Sequence, residues 1–415
     1  MTALRKKARD RRMWGTAWFG GGSVCLRRGA EVACLAALAF SGCGGPDQTD
    51  PATIRKALEL ELTALADEAE YSVLASAGVW ALEQDLRADV LQESYPLTEI
   101  SNWGVMSWTS IGWYRARKMA LDVEQQIVSI LGTEEAETFS LTAQVRWTRA
   151  LSELYLGMTF CAADLDGRTR SDTQLLQHAE RSLSSTIESA RAAGRSDYLS
   201  AALAARAQAR MLLEDWAGAE SDGIAVPAGF SYNSHRDAVY YNPFVDVFVS
   251  RRIGFLHKWW PQVEESDEPG FMIDPWSGEP DRRIPVYHDG STLRDGVTPN
   301  YRPLKYDSLD DDVPIVHYDM AQLIVAEARA VRGDRAGATA VLNELRAAVG
   351  LPPHDVPTTA EEMEELILWE RFAELHLEGQ RLIDLHRKGL MEEVFEELND
   401  PERPGVGRPS KWGDC

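Results

Sequence analysis

Apolar residues recur at helical spacing from residue 51 onward. Ile54 to Leu74, Trp113 to Leu131, Glu137 to Ala162, Leu175 to Ala193 and Tyr198 to Leu213 each read as an amphipathic helix, with Asp, Gly or Ser between them. No period-2 strand series stands out in this half. Closely spaced alanines (Ala201, Ala202, Ala204, Ala205, Ala207, Ala209) predict helices that approach one another tightly. From about 224 to 316 the helical pattern fades, and Pro, Gly, Asp and aromatic residues take over. Phe230, Tyr232, Tyr240, Tyr241, Phe244, Trp259, Trp260, Phe271, Trp276, Tyr287 and Tyr301 all fall there. Long irregular segments are often binding loops on a rigid scaffold. Aromatics also hold together loop-rich satellite cores, so both readings stand. Helical spacing returns after Val313-Pro314-Ile315-Val316 and Tyr318.

An internal repeat organises the helices. Ala207 to Ala219 aligns with Ala326 to Ala338 at one offset of 119 residues, with seven identities, among them Arg210/Arg329, Asp215/Asp334 and Gly218/Gly337. Each copy reads as a helix, a tight turn and a second helix opening on small residues. This resembles the tetratricopeptide unit, whose hairpins stack into a superhelix. Leu175 to Ala190 reads as a further helix of this kind. The offset is far longer than the unit, so the aromatic segment reads as an insertion between two copies.

Charge divides the chain unevenly. It has 415 residues, 43 Lys and Arg against 65 Asp and Glu, and a net charge of −22. Such a body lacks the cations that replace counterions on nucleic acid. It disfavours anionic ligands in general and selects no particular neutral one. Residues 1–42 are the exception, with eight Lys or Arg and two acids. They end in a nine-residue apolar run, Val32 to Phe40, too short to span a bilayer and fitting a secretory signal. Phe40-Ser41-Gly42-Cys43 resembles the lipobox of bacterial lipoproteins, which implies acylation at Cys43 and the polar tether 43–50. Translation from Met13 would give a leader of more usual length than from Met1. With Cys25 and Cys34 removed and Cys43 acylated, Cys161 and Cys415 remain. Outside the cytoplasm they could pair, but Cys161, in an apolar helical run, reads more readily as a buried thiol.

The last block runs Glu370-Arg371-Phe-Ala-Glu374-Leu375-His-Leu-Glu378-Gly379-Gln-Arg381-Leu-Ile-Asp384-Leu385-His-Arg387-Lys-Gly389. With Lys305-Tyr306, the Tyr318 helix entry and the hairpin at 318–350, it resembles the C-terminal half of the SusD/RagB family of outer-membrane nutrient-binding lipoproteins. The resemblance implies a mainly α fold: a right-handed superhelix of tetratricopeptide-like hairpins carrying a loop-rich aromatic insertion. The segments are then a signal peptide (1–42), the tether, an N-terminal helical part (51–223), a ligand-binding insertion (224–316) and a C-terminal family-like part (317–415). On residue chemistry alone, Glu370, Arg371, Glu374, Glu378, Arg381 and Asp384 read as an ion-pair cluster tying the last helices together, with Gly379 allowing a sharp turn. Flanking arginines would keep Glu374 and Glu378 ionised, which argues against a general acid there.

No zinc-spaced histidines, nucleophile elbow, P-loop or dinucleotide fingerprint occurs, so no enzyme, metal or cofactor is expected. Asp307, Asp310, Asp311 and Asp312 offer calcium-type oxygens without EF-hand spacing, and a solvated turn is the expectation. Sugar rings stack on flat aromatic faces with polar groups at the rim, which makes Trp103, Trp108, Tyr240, Tyr241, Asn242, Trp259, Trp260 and Trp276 the candidate ligand residues. Adjacent aromatics on extended chain point to opposite faces, so at most one of Trp259 and Trp260 or of Tyr240 and Tyr241 would line a site. The resemblance implies a cell-surface lipoprotein on the outer membrane, held by lipid alone. It would bind an oligosaccharide or peptide and deliver it to a SusC-like TonB-dependent β-barrel. The alternative is a helical-repeat lipoprotein that scaffolds envelope proteins without a small ligand.

Overall fold

A computed structural model describes residues 51–88, 90–93, 105–237, 240–255, 259, 263 and 268–398. The leader, Cys43, the tether and Cys415 lie outside them. The chain divides into two units, 1–61 and 62–415. Of the first only the opening of helix α1 is described, and the second holds all the other elements. The described part is mainly helical, and among its residues no helix is long and apolar enough to cross a membrane.

Helix α1 covers Pro51–Arg87, α2 Val105–Leu131, α3 Thr133–Thr138, α4 Ser140–Thr159, α5 Asp172–Ala192, α6 Ser196–Leu212 and α7 Trp216–Ile224. After the insertion come α9 (Tyr318–Val331), α10 (Arg335–Val349), α11 (Ala360–Glu374), α12 (Arg381–Arg387) and α13 (Met391–Leu398). Helices α4 to α7 pack each on the next, and α7 then packs on α9, which packs on α10 and α11. The two repeat copies, α6–α7 and α9–α10, are therefore neighbours in space although the insertion separates them in sequence.

The identities of the repeat have a physical reason. Asp215 and Asp334 each cap the second helix of their hairpin, accepting from Gly218 N at 3.1 Å and Gly337 N at 2.8 Å. A Cβ at either glycine would lie 2.1 Å from that carboxylate, so only glycine leaves room for the cap. Small residues also set the hairpin spacing: a Cβ on Gly223 would meet Val325 Cγ2 at 2.7 Å and the Ala321 carbonyl at 2.9 Å. Gly223→Ala is accordingly expected to cost about 1–3 kcal/mol through overpacking, read by urea denaturation. An unchanged midpoint would show that α7 can retreat from α9 freely.

The insertion is more ordered than its composition suggests. It holds β4 (Ser231–Ser234), helix α8 (Pro243–Val249), β5 (Ile253–Phe255), β6 (Gly270–Ile273), β7 (Pro280–Thr292) and β8 (Pro299–Pro303), and ends in β9 (Val313–His317). Strands β6, β7 and β8 form an antiparallel sheet, and β5 pairs with β1 (Leu91–Glu93). Strand β4 pairs antiparallel with β9, Ser231 opposite His317, so the entry and exit of the insertion are tied together beside the helical stack. Its aromatics are not a satellite core. Phe244, Phe248, Phe255, Trp259, Tyr301 and Tyr306 join the main core with Trp80, Trp113, Trp147 and Tyr155.

Two expectations need correction. A hairpin of β2 (Ala162–Leu165) and β3 (Arg168–Ser171) interrupts the N-terminal half where the pattern suggested helix alone. Strands of four residues are too short to show a period. Cys161, just past the end of α4, is disulfide-bonded rather than a buried thiol.

Candidate functional site

The family-like block folds as a belt of buried charges. Helix α11 ends at Glu374, and the chain turns through Leu377 and Gly379, both at positive φ, into α12. A Cβ on Gly379 would stand 2.7 Å from Ala81 Cα, so glycine lets this turn press onto α1. Glu370 is fully buried and accepts from Arg346 at 2.6 Å, Arg283 at 2.7 Å and His354 at 2.9 Å. Arg346 also donates to Asp274, and Arg283 to Asp281. Arg371 donates to Asp384, which also receives Arg387, and Arg387 reaches Glu327 on α9. Arg381 stacks over Phe372, 5.5 Å from the ring centre.

Glu378 and Glu374 differ from each other. Burial alone would raise the Glu378 pKa, but Lys305 at 2.7 Å and His317 at 2.9 Å outweigh it and bring it down to about 2. These partners are a lysine and a histidine, not the flanking arginines expected. Glu374 has only a longer contact to Arg283 at 3.4 Å, and burial pushes its pKa up. The expectation that arginines hold both ionised is thus corrected for Glu374. The partners of the belt come mainly from the insertion and α10, so it locks the insertion against the last helices.

Two exposed tyrosines meet elsewhere. Tyr240 meets Tyr71 of α1 edge-on, ring centres 4.6 Å apart at 80°. Tyr71 and Tyr240 are exposed by 38% and 44%; among the described aromatics Tyr241, Tyr114 and Trp276 are exposed to a similar degree. The backbone beneath them is held firmly. Asp237 and Tyr240 are joined twice: Asp237 N donates to Tyr240 O at 3.1 Å, and Tyr240 N donates to the Asp237 side-chain Oδ1 at 2.8 Å. Asn242 N donates to Leu309 O at 2.8 Å, and Arg236 N donates to Asp312 Oδ1 at 2.9 Å. Burial and the nearby charges of Tyr240 and Asp237 push the Tyr71 hydroxyl up to about 12.

Of the other sequence candidates, Asn242 is fully buried and caps α8: its Oδ1 accepts from Phe244 N and Val245 N while Nδ2 donates to Asp311 O. Trp259 lies in the core, stacked on Phe372 with ring centres 4.7 Å apart. Neither is free to meet a ligand. Trp276 is 45% exposed on the β6–β7 turn, edge-on to His354 beside the charge belt, and does not join the tyrosines. Trp103, Trp260 and the Trp108 side chain lie outside the described residues. Asp311 and Asp312 direct their carboxylates to the backbone N–H groups of Asp307, Ser308 and Arg236, with His235 on Asp312. Among the described residues no group of three or more His, Cys, Asp or Glu is placed to hold a metal ion.

Two residues of this neighbourhood escaped the sequence reading. Tyr71 hides within a helical period, and Arg236 stands alone without a motif.

Residues 321–407 match the SusD family. No protein of curated function matches the chain. Among solved structures, the chain is similar to a SusD superfamily protein from Bacteroides vulgatus, at 15% identity and a TM-score of 0.60, over 82% of this chain and 90% of that one. A SusD-like carbohydrate-binding protein from the same organism gives 15% identity and a TM-score of 0.60 over 79% and 83%. A SusD-like protein from Bacteroides fragilis gives 14% and 0.58 over 84% and 88%.

Proposed function

From a chain that carries the SusD fold and a SusD family C-terminal region, we propose a surface lipoprotein that binds a nutrient and hands it to a TonB-dependent outer-membrane barrel. The observation that carries the binding step is the exposed, edge-on pair of Tyr71 and Tyr240. Tyrosine offers a sugar a flat apolar face and a hydroxyl at its rim, at small cost in side-chain freedom. The carbohydrate-binding relative from Bacteroides vulgatus favours an oligosaccharide over a peptide. Acylation at Cys43 would hold the protein at the membrane by several chains, since one chain anchors only marginally.

Binding is tested by calorimetric titration with a panel of neutral and acidic oligosaccharides. Tyr240→Ala is expected to weaken the best ligand about tenfold, near 1.4 kcal/mol, while Trp276→Ala leaves it unchanged. Loss with Trp276→Ala alone would move the site to the β6–β7 turn. Delivery is tested by gentle crosslinking of intact cells and identification of what co-purifies with the tagged protein. A TonB-dependent barrel in stable proportion supports the uptake role. Envelope proteins without such a barrel would overturn it in favour of a scaffold.

A further inference from the structure

Six described arginines are buried: Arg117, Arg146, Arg236, Arg283, Arg346 and Arg371. Five of them pair with a carboxylate, for example Arg117 with Glu153 at 2.7 Å, Arg146 with Glu124 at 2.7 Å and Arg346 with Glu370 at 2.6 Å. Arg236 is different. Its guanidinium reaches only the backbone carbonyls of Ala75 and Leu74, both at 3.4 Å, and its Nε has no partner. Bonds of that length are weak. Asp312, the nearby acid, is turned to the Arg236 backbone N–H and to His235. The side chain is 8% exposed and fits against α1 because residue 78 is glycine: a Cβ there would lie 2.2 Å from Nη2.

A buried charge without a counter-charge is strongly unfavourable, and protein interiors rarely keep one. The sequence is rich in acids, so the lack of a partner at this one arginine points to a ligand that supplies it. The place agrees. Arg236 lies next to Asp237, whose carboxylate accepts from Tyr240 N, and its Nη2 reaches Leu74 O, three residues along α1 from Tyr71. Burial lowers its pKa, as expected for a cation short of a partner.

We propose that Arg236 receives a carboxylate of the ligand, carried by a uronic-acid residue of an oligosaccharide that stacks on Tyr71 and Tyr240. This rests on the binding role given to the tyrosine face and names its ligand class. The acidic body repels anions at long range, so a single desolvated guanidinium gives selection by contact rather than by field.

The test compares trigalacturonate with its fully methyl-esterified form, which differs in charge and keeps the ring chain. Calorimetry on the wild-type protein is expected to show the acid bound at least tenfold tighter than the ester. Arg236→Met should remove that difference by weakening the acid, and Arg236→Lys should restore part of it. The thermal midpoint of Arg236→Met should not fall, because no folded-state ion pair is lost. A midpoint drop of several degrees with equal binding of acid and ester would make Arg236 a structural staple and overturn the proposal. Equal affinity for acid and ester, both weakened by Tyr240→Ala, would also overturn it while leaving the binding role intact. If neither form nor any neutral oligosaccharide binds, the binding role of the face falls as well. A peptide bound more tightly with a free C-terminus than as its amide, with no sugar bound, would overturn the uronic-acid assignment. The wild-type comparison decides even if a variant fails to fold.

Discussion

Glu370→Ala is expected to cost about 3–5 kcal/mol of folding free energy, the range for breaking a buried ion pair from one side. Glu370 is fully buried and serves three donors from three places: Arg283 on β7, Arg346 on α10 and His354 in the connection to α11. Removing it leaves both guanidiniums in the core with less than their complement of negative charge. Asp281 and Asp274 remain to each of them, so the charge is not wholly bare. Gln at this position keeps the volume and one acceptor but not the charge, and should cost nearly as much. Glu361→Ala, on the exposed first turn of the same helix, is the control and should stay within about 0.5 kcal/mol. Urea denaturation at neutral pH measures all three. A loss under about 1 kcal/mol for Glu370→Ala would mean that Asp274 and Asp281 neutralise the arginines alone, and that the belt is not what locks the insertion in place.

The parts of this fold that were legible in the sequence are those whose partners are close along the chain. Asp215 and Gly218, or Asp334 and Gly337, carry their turn within four residues, so the repeat showed itself and with it the helical hairpins. The charged block at 370–389 was legible as a cluster, because its residues recur at helical spacing. Its partners were not: Arg283 lies 87 residues from Glu370 and His317 61 from Glu378, and no local pattern joins them. The insertion read as loop because its strands are short and interrupted. The β6–β7 and β7–β8 pairings both carry register shifts, which erase a clean alternation.

At the site, Tyr240 and Tyr241 stood out by composition alone. Asn242 stood out for the wrong reason, since Asn before Pro243 is also a helix-capping signal, and that is the use the structure makes of it. Arg236 was invisible because its significance is the absence of a partner, which only the folded chain can display.

The second large effect is on acid stability. Glu378 is buried, and although burial disfavours its charge, Lys305 and His317 outweigh that effect and bring the pKa down to about 2. Glu153, Glu327, Glu370 and Asp384 are also held below their ordinary values, each against burial, by histidine or arginine partners. A carboxylate depressed in the folded state binds a proton more readily when unfolded. Its stabilisation is therefore present above the ordinary carboxylate range and is lost as pH falls toward the folded value. For Glu378 alone, moving from 4.5 to about 2 corresponds to about 3 kcal/mol. Glu70, half-buried beneath Tyr198 and Tyr232, and Glu374 act in the opposite sense, because burial raises them and their contribution is lost as pH rises. His317, raised by Glu378 against the effect of burial, likewise contributes below its ordinary value and loses that contribution above it. The depressed group is the larger, so unfolding free energy should fall steeply between about pH 5 and pH 2. Glu378→Gln should lower stability at neutral pH, leaving Lys305 and His317 without their acid, and should flatten the acid limb. Denaturant midpoints taken at half-unit steps of pH for both proteins measure this. A wild-type curve level from pH 5 to pH 3, or an acid limb equally steep in Glu378→Gln, would show that the proton uptake lies elsewhere.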